Sequence, residues 1–285
     1  MNVFDEPKVD THCHLLDPAR FPYAPDVAYR PTGQEISTPE QYLQVMDAYG
    51  IRHALLVGPN SGYGLDNRCM LDALARHGDR FRGVAVVRNE ASREELQELK
   101  GAGVVGVAFN ATVLGVEHYL QAGRLLRHVA DLGLFVSVQV EHDRLVALGP
   151  FLQDSGARLV FDHCGRPAPG AGLDQPGFQA LLRLARTGRV AVKLSGYQKF
   201  AVEPPPYADA QPFVRALLDA FTPDACMWAS DWPFLKSPVH LDVGPLLRLL
   251  ERLVPEAADR RRILWDTPRR WLGLAAPAIA DPVHR

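Results

Sequence analysis

Eight short apolar strands alternating with eight helical stretches along 285 residues predict a (β/α)8 TIM barrel in a single domain. The strand segments are rich in Val, Leu and Ala and lack regular polar alternation, as expected where both faces of a parallel strand are covered. A doubly wound open sheet is the other arrangement that such alternation allows. No glycine-rich phosphate fingerprint follows the first strand, which disfavours it.

The first strand approaches through Pro7-Lys8-Val9 and ends in Val9-Asp10-Thr11-His12-Cys13-His14. A proline-rich segment follows, Leu15 to Ser37, with Phe21, Tyr23, Tyr29 and Arg30, more lid than linker. Thr38 then caps a helix with Pro39 at its first position and Gln41 closing a capping box, and Gly50 ends it. His53 to Val57 is the second strand, a loop runs from Gly58 to Asp66, and Asn67 to His77 is helical. Gly83 to Val87 is the third strand, and Ser92 with Glu95 caps the next helix. Val104 to Phe109, Leu134 to Val140, Ala157 to Asp162, Arg189 to Leu194 and Ala225 to Ser230 supply the fourth to eighth strands. Helices are expected over Val116 to Leu132, from Arg144 onward, and over Pro176 to Thr187, Gln211 to Phe221, Leu241 to Leu253 and Ala257 to Leu274. The barrel occupies about residues 8–275, and the tail after Ala275 is peripheral.

Lys and Arg total 31 against 33 Asp and Glu, a net charge of −2 without any basic block. Nucleic acid and anionic membrane surfaces are therefore not expected partners. No apolar run reaches the roughly 20 residues of a spanning helix, and the N-terminus lacks the basic-then-apolar order of a signal peptide. A cytoplasmic protein acting on a small molecule is the expectation, and nothing in the sequence speaks to oligomeric state. Cys13, Cys69, Cys164 and Cys226 are scattered and read as buried reduced thiols.

In such a barrel the site lies at the C-terminal ends of the strands. His12 and His14 stand two residues apart, so on an extended strand they share a face. The fourth strand contributes Asn110 and the fifth Gln139 or Glu141. The sixth brings His163 and then Arg166, the seventh Lys193, Ser195 and Lys199, and the eighth Asp231. Each has a bland reading: Asp231 a helix cap, His163 a satisfied core histidine, Lys193 an exposed or inward-pairing charge. Their convergence on one axial pocket favours a shared site. Of the other histidines, only His142, two residues past the fifth strand, is a further candidate. His284 lies in the tail. A carboxylate can take a proton from water, and histidines, an arginine or a metal can steady the oxyanion formed at a carbonyl. The chemistry suggested is hydrolysis, without the Gly-x-Ser-x-Gly elbow of a serine hydrolase.

Val9-Asp10-Thr11-His12-Cys13-His14, Phe161-Asp162-His163-Cys164-Gly165-Arg166-Pro167 and Ala229-Ser230-Asp231-Trp232-Pro233, in that order, resemble the amidohydrolase superfamily. Phe21-Pro22-Tyr23 and Lys193-Leu194-Ser195-Gly196 narrow the resemblance to its lactonase branch, of the 2-pyrone-4,6-dicarboxylate hydrolase type. The resemblance implies opening of a lactone by water. Asp231 would be the general base, His12, His14 and His163 would polarise the carbonyl, and Arg166 would contact substrate. Tyr29 and Lys199 fall near substrate-holding positions, and Ser61, Asn110 and Gln139 complete the candidate contacts. Two departures stand out. Val107 to Leu114 holds no arginine where the dicarboxylate enzymes clamp carboxylates, which weakens the case for a dicarboxylate substrate and leaves the lactone's identity open. Asn110 and Gln139 are poor metal ligands, so no cofactor is expected to be required. A single divalent ion, Zn or Mn, on His12, His14 and Asp231 is the alternative. A metal-dependent decarboxylase and a non-enzymatic binding protein are the competing functions.

Overall fold

The computed structural model describes residues 2–27 and 29–274. The predicted tail and His284 lie outside them. Eight parallel strands run in the order β1 Lys8–Cys13, β2 Ile51–Val57, β3 Phe81–Ala85, β4 Val104–Asn110, β5 Phe135–Gln139, β6 Arg158–Phe161, β7 Val190–Leu194 and β8 Cys226–Trp228. Each pairs with its sequence neighbour from β1–β2 to β7–β8. This is the (β/α)8 barrel expected.

The seam between β8 and β1 is closed differently. Thr11 Oγ1 donates to the Trp228 carbonyl at 2.8 Å, and the Asp231 amide to the His12 carbonyl at 2.9 Å. The His14 amide reaches the Trp232 carbonyl at 2.8 Å. The buried Asp10 carboxylate accepts from the Ser230 amide at 2.9 Å, the Ser230 hydroxyl, the Tyr42 hydroxyl at 2.6 Å and the His12 amide at 3.1 Å. One isolated bridge, Cys13 to Trp232, completes the join.

The barrel interior is layered. Val9, Leu55, Val84, Phe135, Val160, Ala191 and Met227 pack together at the lower level, with Trp265 and Trp271 beside them. Two residues further along three of these strands stand Ser137, Asp162 and Lys193, which alternation places on the same inward face. The register of β1 slips between Asp10 and Cys13. That irregularity brings His12 inward although Val9 also faces the interior.

Side-chain caps open two of the helices as expected. Thr38 Oγ1 accepts from the Gln41 amide at 3.2 Å above helix Pro39–Ala48, and Ser92 Oγ from the Glu95 amide at 3.1 Å above helix Arg93–Gly101. Two expectations are corrected. The helix over Val116 to Leu132 is two pieces, Val116–Tyr119 and Gly123–Asp131, and Asn89 Nδ2 takes the His118 carbonyl at 2.7 Å where they part. The helix after Ala257 passes through a π-helical turn, Arg262–Asp266, just before Pro268. Proline has no amide to continue the ladder, so a wider turn absorbs the missing bond. The four cysteines are free and buried, and burial raises the Cys13, Cys164 and Cys226 thiols above their ordinary range. Among the described residues no helix is long and apolar enough to cross a membrane.

Candidate active site

A cavity of about 450 Å³ opens beyond the C-terminal ends of the strands. His12, His14, Ser61, Asn110, Gln139, His163, Arg166, Lys199 and Asp231 all line it. Four other candidates, Tyr29, His142, Lys193 and Ser195, stand outside the lining, and Tyr29 is turned away from it. Its hydroxyl bonds Glu35, and its ring supports the Lys236 ammonium, 4.4 Å from the centroid. Lys236 itself lines the cavity. His142 is exposed and is tied in only through its amide, which donates to the Arg166 carbonyl at 3.0 Å.

Asp231 is the centre of the arrangement. It is fully buried, and its Oδ1 has no hydrogen-bond partner. Around that oxygen stand His163 Nε2 at 3.6 Å and the Nε2 atoms of His12 and His14, each at 3.9 Å. Oδ2 is held by Gln198 Nε2 at 2.7 Å and Lys199 Nζ at 3.0 Å. Burial alone would raise the Asp231 pKa. The Lys199 ammonium and the surrounding imidazoles outweigh it and bring the group down to about 2. His14 is lowered to about 3, first by burial and then by His12 beside it. His163 is lowered well below its ordinary value, again chiefly by burial. Both are neutral imidazoles at neutral pH.

The proton positions on these rings follow from their partners. His14 Nδ1 lies 2.8 Å from the Val57 carbonyl, which can only accept, so the proton sits on Nδ1 and Nε2 offers a lone pair. His12 Nδ1 lies 3.2 Å from Lys193 Nζ, which can only donate. His163 Nδ1 meets the Ser195 hydroxyl at 3.1 Å, which suits either tautomer.

The charged floor beneath His12 was missed from sequence as a group. Lys193, fully buried, bonds Asp162 Oδ1 at 2.8 Å and Ser137 Oγ at 3.2 Å. Ser137 in turn donates to Asp162 at 2.9 Å. Arg166 pairs with Glu141 at 3.2 Å, and Arg144 shares the same carboxylate at 3.1 Å. Beyond β2 and β4 the lining is neutral: Asn110 Nδ2 donates to Asn60 Oδ1 at 3.2 Å, and Thr112 Oγ1 to Asn110 Oδ1 at 2.6 Å.

The backbone of the site is strained. His163, Arg166 and Asp231 all have positive φ, at 53°, 45° and 64°. Such conformations cost non-glycine residues of order 1 kcal/mol or more each and persist where a site is over-determined by its surroundings. Gly196 serves the same geometry. At φ +64° a Cβ there would lie 2.3 Å from His163 Nδ1. Gly196→Ala is therefore expected to push the His163 ring aside, lowering kcat at least about tenfold and stability by roughly 1–3 kcal/mol. Steady-state kinetics and thermal unfolding check this. Gly101→Ala, at a glycine with nothing within 4 Å, is the control.

Among the described residues, His12, His163 and Asp231 each offer an atom within 4.8 Å of the others, a spacing suited to a metal ion. The set expected from sequence has His14 where this one has His163. His163 Nε2 is nearer Asp231 than His14 Nε2 is, and the His14 ring stands at 89° to His12. The spacing fits a cation, and ligation through His12 Nε2 would require the ring hydrogen on Nδ1, which faces Lys193 Nζ at 3.2 Å.

The amidohydrolase family profile matches residues 9–274. The chain belongs to this family. It is 33% identical over 275 residues to a 4-sulfomuconolactone hydrolase of Rhizobium radiobacter, covering 93% of this chain and 89% of that one. It is 32% identical over 276 residues to a 2-pyrone-4,6-dicarboxylate hydrolase of Comamonas testosteroni, covering 92% and 88%. A crystal structure of a probable 2-pyrone-4,6-dicarboxylic acid hydrolase from Acinetobacter baumannii, with citric acid bound, superposes with a TM-score of 0.86. It is 26% identical and covers 93% of this chain and 99% of that one. This amidohydrolase is thus most usefully compared with enzymes that open lactone rings.

Proposed function

We propose that this amidohydrolase opens an anionic lactone by direct attack of water. The observation that carries the reading is Asp231 Oδ1, a buried carboxylate oxygen without a hydrogen-bond partner among the described residues, facing three imidazoles at the inner end of the cavity. A water between Oδ1 and the lactone carbonyl gives its proton to Asp231 as its oxygen bonds the carbonyl carbon. The carbonyl oxygen, gaining negative charge, accepts a hydrogen bond from the His12 Nε2–H, which stays on the ring throughout. The ring C–O bond then breaks, and the proton held by Asp231 passes to the departing oxygen. His14, with its lone pair on Nε2, orients the water instead of the carbonyl, which revises the expectation that all three histidines act alike.

Lys199 keeps the resting carboxylate a weak base. A substrate anion that draws the ammonium from Oδ2 restores basicity only when the site is filled. Arg166, Lys236 and Lys199 are the lining cations available to an anionic substituent, and the neutral Asn60, Asn110 and Thr112 side suits the rest of the ring. The partner is a small molecule, and no nucleic acid or membrane is involved in this reading. The test is a panel of lactones, neutral, singly and doubly charged, in a pH-indicator assay. One acid group should appear per ring opened, fastest with anionic members. Folded protein that releases acid from none of them would overturn the reading.

A further inference from the structure

Lys193 and Asp162, paired beneath the cavity, both reach His12 Nδ1. We infer that Lys193 is a positioning residue that fixes the tautomer of His12, keeping its Nε2 a hydrogen-bond donor and not a metal ligand. The inference rests in part on the lactone-opening reading, because the carbonyl oxygen is what that hydrogen serves.

Lys193 Nζ is fully buried, so each of its three hydrogens must find an acceptor within the protein. Three groups surround it: Asp162 Oδ1 at 2.8 Å, Ser137 Oγ at 3.2 Å and His12 Nδ1 at 3.2 Å. The Ser137 hydroxyl uses its own hydrogen on Asp162, which leaves its lone pairs for the lysine. His12 Nδ1 is therefore the third acceptor. Had Nδ1 carried a hydrogen, two donors would face each other at 3.2 Å inside the barrel, and one lysine N–H would be left unpaired at a cost of about 1–3 kcal/mol.

Asp162 offers the competing arrangement. Its Oδ1 lies 3.4 Å from His12 Nδ1, farther than the lysine, and could accept from that nitrogen if the lysine were absent. A carboxylate accepting from Nδ1 is the usual way to leave Nε2 bare for a metal. The lysine thus stands between two outcomes for one ring. With it, His12 Nε2 carries the hydrogen toward Asp231. Without it, Nδ1 turns its hydrogen to Asp162, and His12, His163 and Asp231 become a coherent donor set. Neighbouring His14 is held in the opposite tautomer by the Val57 carbonyl. Two rings two residues apart on one strand end therefore present a donor and an acceptor side by side.

The experiment is nitrogen NMR of protein labelled at histidine, with His12 assigned by its absence in His12→Gln. In the wild type, His12 should show a protonated Nε2 and a bare Nδ1. Lys193→Met should exchange the two. It should also lower kcat about 10²-fold with KM changed less than about threefold, the signature of a lost transition-state donor. Equilibrium dialysis against Zn(II) alone should show at least a tenfold gain in affinity over the wild type. Should Lys193→Met fail to fold, Asp162→Leu combined with Lys193→Met removes both charges and should give mixed tautomers. A protonated Nδ1 in the wild type, or an unchanged His12 in the variants, would overturn the inference. Wild-type protein with the expected tautomer and no activity on any lactone would instead count against the lactone reading alone.

Discussion

Asp231→Asn is expected to lower kcat about 10³-fold while moving KM by less than about threefold, the range for loss of a positioned general base. Asparagine has the same shape and can still accept from Gln198 through its oxygen, but it cannot take a proton from water. Because Asp231 is fully buried and ringed by polar neighbours, the substitution tests chemistry and not packing. The pH dependence follows from the same surroundings. Burial would raise this carboxyl, yet Lys199 and the imidazoles hold it down at about 2, so it stays ionised throughout the neutral and mildly acidic range. Its own titration should not limit kcat/KM above about pH 4. Residual activity within about tenfold of wild type would remove Asp231 from the role of base.

The second large effect concerns stability. Asp10→Ala is expected to cost about 3–5 kcal/mol, measured as a shift in the urea unfolding midpoint. The carboxylate gathers four donors in a region with no access to water: two backbone amides, His12 and Ser230, and two hydroxyls, Tyr42 and Ser230. Alanine would orphan all four. Asp10→Asn retains one good acceptor oxygen and should lose markedly less. A loss below about 1 kcal/mol for the alanine variant would show that the seam does not depend on this group.

The strands were legible because both faces of a barrel strand are buried, so each announces itself as an apolar run. The histidines and Asp231 were legible because strand ends mark where such a barrel keeps polar groups. The inward floor was not. Leu159-Val160-Phe161 is apolar on both faces, so nothing in it says that Asp162 points to the axis and not to a helix. Asp10 was hidden by the slip in β1, which breaks the alternation that would have classed it with its neighbours. Tyr29 and Lys236 lie in irregular segments, where no period relates sequence position to direction. Tyr29 therefore supports a lining residue instead of being one. Pro268 carried a readable signal, since a proline that far into a predicted helix requires the ladder to change.

The join between β1 and β8 gives this enzyme a temporal property. Thr11 bonds Trp228, 217 positions away, and the Asp231 amide lands on His12. A nascent chain emerging from the ribosome acquires its histidine pair first and Asp231 only after the eighth strand, with the last helices still to follow. No shortened product ending before β8 could carry out the reaction, however well its earlier strands had paired. Competence would therefore arrive in one step, with the docking of the final strand, and a partly made chain would stay chemically silent.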